Sequence, residues 1–293
     1  MVPPLVCAVQ SPALGTHEIA DLAVYALREE AELTPKPGLV DRRGPGAHTD
    51  MSLALLFTSA DALRSAFYEC ACAAMELDLG IELRARVGCI GRAGERSMLT
   101  ATGGVNTHRG ALWALGLLCA AAGAGATTVH ESVDFAARLA RIPDPALAAH
   151  HHTQGSHGAL ARRRYRALGA PGEARAAFPH VTDHALPTLR AGLATGCDPS
   201  LARHDALLAL IARLDDTCLL HRGGRAGLTA VQSAARSCLT AGGIRTPQGR
   251  QRFWMLDQLC ARRRLSPGGA GDLLAATVYL DAFDRRSDPS CRH

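Results

Sequence analysis

Glu32, Lys36, Asp41, His48 and Asp50 fall between positions 32 and 50, side chains able to move protons, hold a metal or neutralise a phosphate. They surround the segment TPKPGLVDRRGPGAHTD, where Pro35 and Pro37 reduce the freedom lost on ordering the turn and so pre-position its side chains. Lys36 is the only lysine in a chain of 32 Lys and Arg residues. An ammonium is a compact point charge that can sit among several phosphate oxygens, whereas the planar guanidinium prefers one bidentate partner. The chemistry that suits this stretch is work on a polyphosphate, with carboxylates available as acids or bases.

Three further glycine-rich polar turns, TGGVNTHRG, HRGGRAG and SPGGAGD, each precede an expected helix. A helix N-terminus presents unpaired N–H groups and about half a positive charge, which favours anions. Glycine lets backbone approach a ligand closely. Ordinary helix capping accounts for any one such turn. Four of them carrying Lys, Arg, His and Asp suggest a polyphosphate site between helices.

The elements that must position these turns are helices. Hydrophobic residues make up 47% of the 293, aromatics only 4%, and alanine and leucine dominate the apolar set, a helix-forming composition. Ile19, Leu22, Ala23, Ala26 and Leu27 recur at helical spacing after Thr16, and Pro35 and Pro37 stop that helix by Thr34. A second helix is expected from about 49 to 77, a third over 82–99, a buried one over 111–122 and a short one over 130–141. Residues 123–128 and 143–157 read as breaks. Further helices are expected near 158–168, 183–195, 200–217, 226–241, 247–263 and 269–283. No segment alternates strictly, so no sheet is expected. The fold class is all-α: a single compact multi-helix domain over 16–284, with a polyphosphate-binding cleft formed by helix N-terminal loops. Residues 1–15 and 285–293 are expected to be flexible.

The formal charge of +5 fits anionic small molecules, and no block of five like charges suggests a nucleic-acid arm. Stacking aromatics are scarce as well, which argues against single-stranded nucleic acid. None of the ten cysteines forms a C-x-x-C pair, and most sit in apolar runs as small buried hydrophobes of a reducing compartment. The N-terminus lacks the basic region of a signal peptide. The longest apolar run, Ala111–Ala126, is too short to span a membrane. A cytoplasmic location is expected, with no membrane partner.

ELTPKPGLVDRRGPGAHTDM, TGGVNTHRGALWALGLL, SHG with GEARAAFP, DDTCLLHRGG and SPGGAGDLLA occur in one order from about Ala20 to Leu280. Together they resemble the motifs of the triphosphoribosyl-dephospho-CoA synthases, which make the prosthetic-group precursor of citrate lyase and malonate decarboxylase. GAHTD and GGVNTHRGALWALGLL are closer to the malonate decarboxylase branch. The resemblance implies that the 2′-hydroxyl of 3′-dephospho-CoA displaces adenine from C1″ of ATP. The product is 2′-(5″-triphosphoribosyl)-3′-dephospho-CoA, and a holo-acyl carrier protein synthase is a possible partner downstream.

That reaction needs a carboxylate beside an oxocarbenium-like centre and another to accept the hydroxyl proton. Glu32 and Asp41 are the candidates, in either order, with His48 as a third catalytic group. Mg²⁺ is expected with ATP, and Asp50 and Asp216 are its candidate ligands. Lys36, Arg109 and Arg222 are candidates for phosphate contact, aided by the N–H groups of Gly103–Gly104, Gly223–Gly224 and Gly268–Gly269. His108, His157 and His221 lie within motifs, and for each a structural hydrogen bond and a chemical role stay open. Asn106 orders its turn or holds a ribose hydroxyl. Glu173, Asp272 and Ser266 either cap helices or contact substrate. His150–His152 lies outside the motifs and reads as an exposed loop.

Two positions depart from the family pattern. Pro45 stands where asparagine is expected, and Cys218 stands where citrate-branch relatives carry asparagine. Two other functions compete. A nucleoside-triphosphate N-glycohydrolase would let water replace the 2′-hydroxyl. A non-catalytic carrier of CoA-type nucleotides would release no adenine.

Overall fold

A computed structural model describes residues 14–148 and 157–287. Among these residues the chain is helical and has no strand; an isolated antiparallel bridge joins Asp41 to Gly44 inside the first turn. Helix α1 (Thr16–Glu32) buries Ile19, Ala23, Ala26, Leu27 and Glu30 along one face. It ends where Leu33 folds back to the Glu30 carbonyl and Pro35 offers no donor. Ser52 caps α2 (Leu53–Glu76) by accepting from Leu55 N at 3.2 Å. Helices α3 (Ile81–Ala101) and α4 (Arg109–Gly123) follow.

Helix α4 is the hub. Every residue from Ala111 to Gly123 is buried except Trp113, which is partly so. Around it pack α1, α2, α3, α5 (Val129–Arg141) and the last helix, α13 (Gly268–Ser287). Alanine and glycine permit this crowding: a Cβ on Gly123 would lie 2.2 Å from the Ala71 carbonyl oxygen of α2. The remaining elements are α6 (Pro145–Ala148), α7 (His157–Tyr165), α8 (Gly169–Arg175), α9 (Leu186–Ala194), α10 (Pro199–Ile211), α11 (Thr217–Thr240) and α12 (Pro247–Arg263).

The all-α expectation holds, but several boundaries differ. The helix expected over 200–217 stops at Ile211. Asp216 then starts α11 by accepting from Cys218 N and Leu219 N, so HRGG lies inside a helix rather than in a turn. Gly224, at φ 60° and ψ −166°, kinks α11 there. Residues 181–185 form a π-turn leading into α9, because Pro187 cannot donate to the carbonyl four residues back and Leu186 N reaches the Val181 carbonyl instead. Helices α6 and α8 occupy proline- and glycine-rich stretches where none was expected. Finally, α13 continues to Ser287, beyond the expected end at 283, with Arg285 paired to Asp281 one turn earlier. No helix among the described residues is long and apolar enough to cross a membrane.

Candidate active site

The loops before α2, α4, α11 and α13 meet at a cleft of about 1700 Å³. Lys36, His48, Asp50, Asn106, His108, Arg109, Glu173, Asp216, His221, Arg222, Ser266, Gly268, Gly269 and Asp272 all line it, as does Glu30. His157 begins α7, but its side chain lies outside the described residues, as does the run His150–His152. Loops separated by up to 230 positions thus share one hollow, through helices that converge on α4.

Lys36 is 1% exposed. Its Nζ donates to the Glu30 carbonyl at 2.6 Å and to Glu30 Oε1 at 2.7 Å. The turn therefore folds its lysine back onto the last buried turn of α1, filling space that a guanidinium would exceed. The expected phosphate contact retains one donor of the three. Glu30 was missed because it lies two positions before the motif, which begins at Glu32. Its signal was the helical spacing itself: position 30 continues the apolar face of Ala23, Ala26 and Leu27, where a carboxylate needs a partner.

Asp272, in the first turn of α13, lies against α4 so closely that a Cβ on Gly110 would be 2.0 Å from its Oδ2. A Cβ on Gly271 would likewise approach Glu30 Oε1 at 3.1 Å. Glycine at these two positions lets carboxyl groups from α1 and α13 meet at the N-terminus of α4. Burial, then the charges of Glu30 and Asp216, push the Asp272 carboxyl well above the usual carboxylate range, opposed only by the Ala111 N–H. Burial thus favours the protonated form of Asp272.

Asp216 has a different task. Its Oδ1 accepts from Cys218 N (2.8 Å) and Leu219 N (3.2 Å), and its Oδ2 from Ala270 N (3.0 Å), so it caps α11 and ties down the start of α13. Burial raises its pKa while those N–H groups oppose the rise. With both oxygens engaged, Asp216 does not fit a Mg²⁺ ligand. Asp50 is exposed, its Oδ1 3.9 Å from His48 Nδ1. Among the described residues no three His, Cys, Asp or Glu side chains converge as a metal site. The glycine N–H groups are also partly committed, with Gly103 N and Gly104 N closing α3 onto the carbonyls of Thr100 and Leu99.

Glu32 and Asp41 do not line the cleft. Glu32 ends α1 on its outer face and pairs with Arg42 at 2.7 Å. Asp41 is buried in the turn, accepting from Lys36 N at 2.7 Å and from Arg43. Burial alone would raise its carboxyl, but the Arg43 and backbone hydrogen bonds together hold it below the usual range. Both roles were placed by proximity in sequence; helix periodicity points Glu32 outward, and the turn's own hydrogen bonds consume Asp41. Glu32→Gln is therefore expected to keep activity within about threefold of the parent in steady-state assays, as an exposed pair contributes roughly 0–1 kcal/mol.

The other side chains mostly bind the loops together. Arg222 donates to Ala47 O at 3.0 Å and contacts His48 Nδ1 at 3.2 Å, and His48 Nε2 lies 2.9 Å from Ser266 Oγ. Burial, then the Arg222 cation, lowers the His48 pKa. Glu173 accepts from His180 N at 2.9 Å and pairs with His180 Nδ1 at 2.7 Å, fastening α8. Asn106 Oδ1 accepts from Arg109 N at 3.3 Å, and Arg109 pairs with Glu95. Pro45 is exposed and off the cleft, its carbonyl accepting from His48 N at 3.1 Å, so it shapes the turn. His108 differs from these. Its Nδ1 lies 2.8 Å from Ser59 Oγ, and its Nε2 is buried with no hydrogen-bond partner. Burial brings its pKa down to about 4, so the ring is neutral at the edge of the cleft that the residue lines.

The family of ATP:dephospho-CoA triphosphoribosyl transferases matches residues 16–290. Curated relatives described as probable 2-(5″-triphosphoribosyl)-3′-dephosphocoenzyme-A synthases are 50% identical in Stutzerimonas stutzeri and 49% identical in Azotobacter vinelandii. The alignments cover 94% and 95% of this chain and the same shares of those proteins. A relative of that description in Pseudomonas syringae is 46% identical over 96% of each chain. No solved structure matches.

Proposed function

The chain belongs to the ATP:dephospho-CoA triphosphoribosyl transferase family, and from that premise we propose that it transfers the triphosphoribosyl group of ATP to the 2′-hydroxyl of 3′-dephospho-CoA. The observation that carries the reading is the single cleft of about 1700 Å³ in which Glu30, His108 and Asp272 stand together. A pocket for one small ligand is roughly 300–1000 Å³, so this volume suits two nucleotides side by side.

The C1″–N9 bond of ATP breaks with its electron pair passing to adenine, and a C1″–O2′ bond forms. Protonated Asp272 donates its proton to the departing base. The Glu30 carboxylate, fixed by Lys36, faces the positive charge that develops at C1″. His108 Nε2 accepts the hydrogen bond of the 2′-hydroxyl, whose proton later restores Asp272. The triphosphate lies near the N-terminus of α4, with Arg109, His221 and Arg222 at hand. Mg²⁺ arrives bound to that triphosphate, as part of the substrate. The GAHTD and GGVNTHRGALWALGLL motifs and Cys218 support the malonate decarboxylase branch, in which the product becomes the prosthetic group of the acyl carrier subunit through a holo-acyl carrier protein synthase.

Incubation with ATP, Mg²⁺ and dephospho-CoA, followed by chromatography, is expected to yield equimolar adenine and triphosphoribosyl-dephospho-CoA. Without dephospho-CoA, adenine release is expected to fall at least a hundredfold. Release undiminished without the acceptor identifies an N-glycohydrolase, and no release in either arm refutes the transfer.

A further inference from the structure

Beyond Gly110 the cleft continues between α3 and α4 toward α7, into a part that the transfer chemistry does not use. Arg84 is 3% exposed there, with its guanidinium over the Trp113 ring at 5.3 Å. Its Nε donates to Ile142 O at 3.2 Å, but its Nη1 makes no hydrogen bond and stands 3.4 Å from Asp144 Oδ2. Trp113 Nε1 is a second buried donor without a partner. Buried donors are nearly always satisfied, so two orphans in one place point to a ligand.

The charge points the same way. Asp144 is shared by Arg84 and Arg92, the latter at 2.7 Å. Arg162 and Arg163 enter the same cleft from α7, and no carboxylate pairs with either among the described residues. Burial, followed by the neighbouring Arg175, lowers the Arg162 pKa, and Arg84 is lowered by burial and by Arg92 and Arg175, offset in part by Asp144. Asp144 is the carboxylate that pairs with this crowd of guanidinium groups, while Glu95 and Glu173, which also line the cleft, pair with Arg109 and His180. Gly91 keeps the α3 wall clear, since a Cβ there would meet nothing within 4 Å.

We infer that this arm binds the diphosphate and pantetheine of the acceptor, with Arg84 and Arg162 on the phosphate oxygens and Trp113 against the chain that follows. The inference rests on the transfer reading for its choice of ligand. Trp113 and Leu117 lie one and two turns along α4 from Gly110, about 5 and 10 Å at 1.5 Å per residue. That is the span from a ribose 2′-hydroxyl to a 5′-diphosphate. Leu117, Val87 and the exposed Leu147 continue an apolar wall beside the arginines. A pantetheine arm can cover such a wall, whereas the triphosphate of ATP has nothing to place on it.

Arg162→Gln, at a half-buried site with no carboxylate partner among the described residues, is expected to weaken dephospho-CoA binding at least tenfold by titration calorimetry on the full chain. Its KM for dephospho-CoA is expected to rise by a similar factor and its KM for ATP to change less than twofold. Trp113→Phe, which removes the indole donor, is expected to weaken dephospho-CoA more than ADP, which has a diphosphate but no pantetheine. A rise in KM confined to ATP would assign the arginines to the triphosphate and overturn the inference, as would unchanged binding of both nucleotides. Because calorimetry requires no turnover, a parent protein that binds dephospho-CoA tightly but releases no adenine refutes the transfer reading and leaves this arm's assignment standing.

Discussion

Asp272→Asn lowers kcat by about a thousandfold, within the 10²–10⁴ that a positioned general acid contributes and equivalent to about 4 kcal/mol. The substitution keeps shape and removes only the transferable proton, so the fold remains. Asparagine in fact resembles the protonated carboxyl that the site favours. A carboxyl whose folded pKa is raised contributes stability that is fully present below its unfolded pKa and lost as pH rises through the folded one. The parent protein is therefore expected to lose stability as pH rises from the ordinary carboxylate range through the raised folded pKa, and the variant to lose less. Activity follows the same group. The parent's kcat falls at high pH as Asp272 ionises, with its midpoint above the ordinary carboxylate range, while the variant's residual rate lacks that limb. A variant within tenfold of the parent, or one that keeps the alkaline fall, removes Asp272 from the chemistry.

Much of this site was legible in the sequence because it rests on chain-local physics. Proline turns, glycine runs before helices and a 3.6-residue apolar period predicted the helices and identified the loops that meet. Individual roles were less legible, because a motif gives neighbours along the chain and a site is made of neighbours across helices. Glu32 and Glu30 are two positions apart, yet one faces solvent and the other lies 2.7 Å from a buried ammonium. Asp216 reads as a metal ligand until α13 is seen to start on it. The Arg84–Trp113 contact joins α3 to α4 through separate faces, and neither residue belongs to a polar turn. What exposed the decisive groups was mismatch: a glutamate on an apolar stripe, and glycines at Gly110 and Gly271 where a Cβ would crowd a buried carboxyl group.

Lys36→Arg conserves charge and is nevertheless expected to lower kcat/KM by two orders of magnitude or more, about 3 kcal/mol of transition-state stabilisation. The lysine lies at 1% exposure between the Glu30 carbonyl and carboxylate. A guanidinium there brings more volume and a planar fork into a packed turn, and overpacking of this kind costs roughly 1–3 kcal/mol. The turn also holds Asp41 through the Lys36 backbone N–H, so strain at Lys36 spreads to the whole loop before α2. Lys36→Met separates charge from shape. It leaves Glu30 buried without a counter-charge, which costs about 3–5 kcal/mol and lowers the melting temperature by several degrees. The kinetic split then distinguishes two tasks for the ammonium. If it positions Glu30 against the developing charge, the arginine variant loses kcat at a nearly constant KM for ATP. If its third donor holds the triphosphate, KM for ATP rises instead. The contacts to Glu30 favour the first result, and an arginine variant retaining more than a tenth of the parent activity would show that charge alone suffices at this position.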